Sequence, residues 1–127
     1  SLVGGRILYD EVAKDASLRL IEKKSGICKN DCRFVKICDV VDEKVYENNV
    51  LANSFILYFV RVDTDVEDFE DKGYGKLMWH DIDKLEELKI IPSDLWFIKN
   101  SLNNIIKNKK VVMESKEGIL NNFKVEK

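Results

Sequence analysis

The stretch between Gly4-Gly5 and Gly26 constrains this chain more than any other part of it. It contains no proline and no other glycine, and it sets Ala13, Ala16, Leu20 and Ile21 at helical spacing before Gly26 offers a natural stop. The spacing predicts a helix over about Glu11 to Lys24. The next segment differs in kind. Phe34, Val35, Ile37, Val40 and Val41 crowd β-branched and aromatic residues into Arg33 to Val41, as a strand does. After a break at Glu47-Asn48-Asn49, Leu51 to Val62 reads as a longer strand. It is apolar on both faces at its centre, as in a sheet covered on both sides.

The acidic, glycine-containing segment Asp63 to Gly75 reads as an exposed loop, and Leu77-Met78-Trp79 as a short strand. Asp81 is placed to cap a short helix through Leu88. The sole proline, Pro92, followed by Ser93 and Asp94, marks the start of another helix, with Leu95, Ile98, Leu102, Ile105 and Ile106 facing inward. Two closing strands, Lys110 to Glu114 and about Ile119 to Val125, are joined by a hairpin turn at Lys116-Glu117-Gly118. Helices interleaved with strands give an α/β or α+β class with a mixed sheet. The 127 residues suit a single domain over 1–127, with no internal repeat or linker.

Composition narrows the chemistry. With 45% hydrophobic and 35% charged residues this is a globular chain. Its 21 basic and 23 acidic side chains leave a net charge of −2 and no strong field to gather nucleic acid or anionic lipid. No apolar run is long enough to cross a bilayer, and no signal peptide opens the sequence, so a cytoplasmic setting is expected. Cys28, Cys32 and Cys38 lack the paired spacing and fourth ligand of a structural zinc site and read as free thiols. His80, beside Trp79, is expected to face solvent, and Trp79 and Trp96 read as core residues.

From Gly5 the sequence GRILYDEVAKDASLRLIEKKSGI resembles the Nudix box, G-x5-E-x7-R-E-U-x-E-E-x-G-U, where U is a bulky aliphatic residue. Gly5, Glu11, Arg19, Ile21, Gly26 and Ile27 match it without a gap. The resemblance implies the Nudix fold, a mixed β-sheet sandwiched between helices, and hydrolysis of nucleoside diphosphates linked to another group. In the family the glutamates of R-E-U-x-E-E bind divalent cations, usually magnesium, because a diphosphate resists attack until its charge is neutralised. Here those positions are Leu20, Lys23 and Lys24, which share one helix face. Glu22 lies about 200° around the helix from Leu20 and cannot simply take over. No protein metal ligand is identified, and no cofactor is expected, with magnesium or manganese required only if the chain hydrolyses as the family does.

Two branches of the family sharpen the expected site. The relaxed box of GDP-mannose mannosyl hydrolases is similar at Gly4-Gly5-Arg6, Asp10-Glu11 and Arg19-Leu20. In that branch two arginines contact the departing nucleoside diphosphate, which implies the role for Arg6 and Arg19. That branch keeps one glutamate where this chain has Lys24, and a Gln-His pair where this chain has its Lys72-Gly73-Tyr74 region. The C-terminal part is similar to hydrolases of oxidised purine nucleotides, which makes Asp94 a base-contacting candidate, although a plain helix cap is the commoner role for such a residue. The expected substrate-binding set is thus Gly5, Arg6, Arg19, Lys23, Lys24 and Asp94, with Glu11 the candidate catalytic carboxylate. The expected function is that of a nucleotide or nucleotide-sugar pyrophosphohydrolase frame with impaired catalysis. The alternative is a non-catalytic nucleotide-binding or protein-interaction module. The family has strands ahead of its box that this sequence lacks, so either further sequence or pairing with a second copy is expected to complete the sheet.

Overall fold

A computed structural model describes residues 2–88, 92–101, 108–116 and 119–126, with side chains through Leu88 and at five positions of the following helix. Its elements are helix α1 (Ala13–Ser25), strands β1 (Cys32–Glu47) and β2 (Val50–Thr64), helix α2 (Pro92–Ser101), and strands β3 (Asn108–Lys116) and β4 (Ile119–Glu126). Single-turn and short 3-10 helices occupy Lys29–Asp31 and Ile82–Glu87. The sheet order is β2-β1-β3-β4. β1 runs parallel to β3, from Val40 opposite Asn108 to Glu47 opposite Ser115, and β3 runs antiparallel to β4. A sheet containing both kinds of pair, with helices between its strands, is the mixed α/β class read from the sequence.

The break at Glu47-Asn48-Asn49 is a two-residue reversal in which Asn48 and Asn49 take φ of 50° and 65°. Asparagine is among the few residues that hold such backbone cheaply, and paired positive φ matches the twist of a hairpin. The chain gathers into two compact units, 1–37 with 60–94 and 38–59 with 95–127. The first unit buries Ala16, Leu20 and Ile27 from α1 and the residues just after it. The second buries Cys38 and Val41, the latter with no exposed surface.

Several expectations need correction. α1 begins at Ala13 and not Glu11, because Asp10 takes a φ of 62° and Glu11 N–H closes a turn onto Leu8 O at 3.0 Å. Strand β2 is an edge strand, and its apolar centre is not covered on both sides: Phe55, Ile56 and Tyr58 are 45%, 58% and 43% exposed. Residues 77–79 form no strand. Trp79 is exposed rather than core, held by its indole N–H on Glu67 O at 2.6 Å and a tilted contact with Phe69. Asp81 does cap the short helix after it, accepting from Asp83 N–H, though that helix is 3-10 and not α. Leu102, Ile105, Ile106 and the hairpin turn at Glu117-Gly118 lie outside the described residues. No helix among the described residues is long and apolar enough to cross a membrane.

Candidate functional site

The turn ahead of α1 is knotted to the helix by two residues of the box pattern. Arg19 Nε donates to Glu11 Oε2 at 2.8 Å and Arg19 Nη2 to Glu11 Oε1 at 3.0 Å, a two-pronged pair of the kind a planar guanidinium favours. The same Nη2 donates to Arg6 O at 2.8 Å, and Leu8 N–H donates to Glu11 Oε1 at 3.0 Å. Arg19 first, and the Leu8 N–H second, hold the Glu11 carboxyl below the ordinary glutamate range, while Glu11 raises the Arg19 guanidinium. Glu11 and Arg19 are therefore brought together as expected, but onto each other. Both carboxylate oxygens accept bonds from the frame, and the Arg6 carbonyl is tied in while its side chain stays exposed.

The helix face that resembles a metal grip is occupied by other contacts. Leu20 is buried against Gly5 so closely that a Cβ built on Gly5 would lie 2.6 Å from Leu20 Cδ2. Only glycine admits this approach without displacing the leucine. The Lys24 ammonium donates to Gly4 O. Lys23 Nζ and Lys24 Nζ lie 5.6 and 5.5 Å from the centroid of the Tyr74 ring, within cation–π range. A divalent cation wants several hard oxygen donors. This face offers an alkyl group and two ammoniums, and Glu22 Oε2 accepts Lys29 N–H at 3.0 Å. Among the described residues no group of three His, Cys, Asp or Glu is placed to hold a metal ion. The donor set does not fit the ion.

At the C-terminal end of α1 the backbone turns left-handed at Gly26, φ 77°, whose N–H returns to Glu22 O. Ser25 Oγ donates to Ile21 O at 2.5 Å and accepts from Ile27 N–H at 3.2 Å, which satisfies a buried hydroxyl. Glu70 N–H donates to Ser25 O at 2.8 Å, so the acidic loop is laid along the helix end. Its carboxylate pairs with Lys72 Nζ at 2.7 Å, which lowers the Glu70 carboxyl and raises the Lys72 amine.

Beside these parts lies a shallow, open cleft of about 500 Å³ lined by Arg19, Glu22, Lys23, Gly26, Lys29 and Lys72. Four cations and the Glu22 carboxylate line that wall, but Arg19 is already paired with Glu11 and Lys72 with Glu70, so among the described residues Lys23 and Lys29 are the cations there outside an ion pair. Arg19, Lys23 and the helix end were legible in the box pattern. Lys29 and Lys72 were not, because they reach the cleft through the turn after Gly26 and through the loop folded back onto it.

The remaining candidates lie elsewhere. Asp94 does not line the cleft; half-buried in the first turn of α2, it accepts from the Leu2 backbone, and burial pushes its carboxyl up. His80 is exposed. The cysteines are free thiols, exposed at 28, half-buried at 32 and buried at 38, and burial raises the Cys32 thiol.

No family model matches the sequence, and no curated protein matches it. The architecture is another matter. It is similar to the crystal structure of the mutator MutT protein from Bacillus halodurans, with a TM-score of 0.72 at 14% identity, over 97% of this chain and 79% of that one. At such low identity the likeness is one of fold, and the chain has the fold of a MutT protein.

Proposed function

We propose that this chain is a Nudix-family domain that binds the phosphates of a nucleoside diphosphate derivative, a nucleotide or nucleotide sugar, with its own cations. Metal-dependent hydrolysis is weak or lost. One observation carries the reading: Lys23 and Lys29, outside any ion pair among the described residues, line one cleft with Arg19 and Lys72, which Glu11 and Glu70 hold in place, beside a helix face where Leu20, Lys23 and Lys24 offer no metal-ligating acid. A guanidinium and ammonium groups supply the charge and hydrogen-bond donors that a diphosphate requires. The fold likeness to a MutT protein supports the family, and the engaged state of both Glu11 oxygens speaks against that residue as a free base.

Calorimetry with ADP, GDP and a nucleotide sugar, each with EDTA and with magnesium, tests this. Binding should survive the chelator, weaken as salt screens the cleft, and fall about tenfold or more in the Lys23→Ala/Lys29→Ala double variant, the loss of two charge-assisted contacts. Phosphate release should stay at background. Binding that needs magnesium, or turnover abolished by Glu11→Gln, would instead establish a working hydrolase. No binding at all would leave the fold as an interaction module.

A further inference from the structure

The Lys24 ammonium sits where the resemblance places a metal-binding glutamate, yet it is not simply a solvated charge. It donates to the Gly4 carbonyl, twenty residues back along the chain, and lies 5.5 Å from the centre of the Tyr74 ring. It also belongs to the last turn of α1, where backbone carbonyls leave a negative end. A neutral carbonyl oxygen, an aromatic face shared with Lys23 and a helix C-terminus make a site for an ammonium group. They supply too few hard oxygens for a dication.

We propose that Lys24 is a tethered cation that takes the place of a bound metal ion. It fixes the extended Gly4-Gly5 segment onto α1, and so positions Arg6 and the Glu11–Arg19 pair without any metal. Lys24 is a positioning residue, and Lys23, which lines the cleft, is the amine left to face a ligand. Leu20 completes the exchange by packing its alkyl chain where the Gly5 backbone passes. This inference concerns the frame and stands apart from the nucleotide reading: its test reads stability and metal binding, so the two can fail separately.

The experiment compares thermal unfolding of the wild type, Lys24→Met, Lys24→Arg and Lys23→Glu/Lys24→Glu, each with EDTA and with millimolar manganese, alongside manganese binding followed by electron paramagnetic resonance. The wild type should be indifferent to manganese and to EDTA. Lys24→Met should lose about 2–5 °C in Tm and be equally indifferent, while Lys24→Arg keeps most of the stability. The double variant should be less stable in EDTA and should recover with manganese, because its carboxylates and the Gly4 carbonyl then offer the oxygens a dication needs. A Lys24→Met protein as stable as the wild type overturns the proposal. So does a wild type that manganese stabilises, or a double variant that binds no manganese.

Discussion

Replacing Gly26 with alanine tests how firmly the end of α1, and with it the cleft wall, is set by backbone geometry. Gly26 holds a φ of 77°, and a Cβ placed there would meet Glu70 Cδ, Cγ and Cβ at 3.1, 3.2 and 3.3 Å. A left-handed conformation costs an ordinary residue about 1–2 kcal/mol. Alanine recovers about 0.4–1 kcal/mol by restricting the unfolded chain. Glu70 is exposed and can shift its side chain, but its backbone is anchored by the N–H to Ser25 O bond. The contact therefore adds to the strain and does not relieve it. Gly26→Ala is expected to lose about 1 kcal/mol net, which for a chain of this size lowers Tm by about 3–5 °C. Gly26→Asn should lose less, since asparagine tolerates the left-handed region while placing its Cβ in the same spot. Gly4→Ala, with nothing within 4 Å of the added carbon, should stay within about 0.5 kcal/mol of the wild type. Urea unfolding followed by fluorescence of Trp79 and Trp96 measures all three. A Gly26→Ala protein as stable as the wild type would mean that α1 does not end in this left-handed turn.

The same contacts set other outcomes. Because Arg19 holds the Glu11 carboxyl low, the pair stabilises the fold above the ordinary glutamate pKa of about 4.3 and loses that contribution as pH falls toward the lower folded value. The gap in urea midpoint between wild type and Glu11→Gln should accordingly be full at neutral pH and close in acid; a gap that is independent of pH counts against the pair. Val41, with no exposed surface, should cost about 2 kcal/mol when cut to alanine, read from the denaturation midpoint. Leu20→Glu should be destabilised by more than about 2 kcal/mol on the same measurement, since it forces a carboxylate into the buried contact with Gly5.

Much of the frame was legible because it is local. The helix and its glycine stop, the asparagine break, the Pro92 helix start and the closing strand pair each depend on residues within a few positions of one another. Strand β2 failed as a reading for a definite reason. An apolar run states what a strand could bury, but not whether a neighbour covers it, and here Phe55, Ile56 and Tyr58 stand on an edge strand. Trp79 failed similarly, since its indole found a loop carbonyl and Phe69 in place of a ladder. In the site, the partnership of Glu11 with Arg19 spans eight residues and lay within the box. The arrival of Lys72 and Tyr74 at the helix end depends on a loop that returns from more than forty positions away. Local spacing carries no information about that return, although the Lys72-Gly73-Tyr74 region stands where the resemblance leads one to expect a Gln-His pair.

The charge on the last turn of α1 links stability to ligand choice. A helix C-terminus favours cations, each typically worth about 0.3–1 kcal/mol at the surface. A cluster of carboxylates in the same turn is unfavourable until a metal ion neutralises it. Lys23 and Lys24 reverse that balance, so the turn is electrostatically satisfied by its own side chains. The Tyr74 ring accepts part of the charge of both amines, which keeps two neighbouring ammoniums from depending on solvent alone. The consequence for binding is a change of order. A carboxylate turn must recruit a metal before it can approach a phosphate, whereas under the proposed function an ammonium turn would meet the phosphate directly, with an affinity set by ionic strength and not by free magnesium. Tyr74→Ala separates these effects. Removing the ring should lower stability while leaving Lys23 free to bind an anion, so a variant that loses nucleotide affinity without losing stability would place the ring in the ligand's path instead.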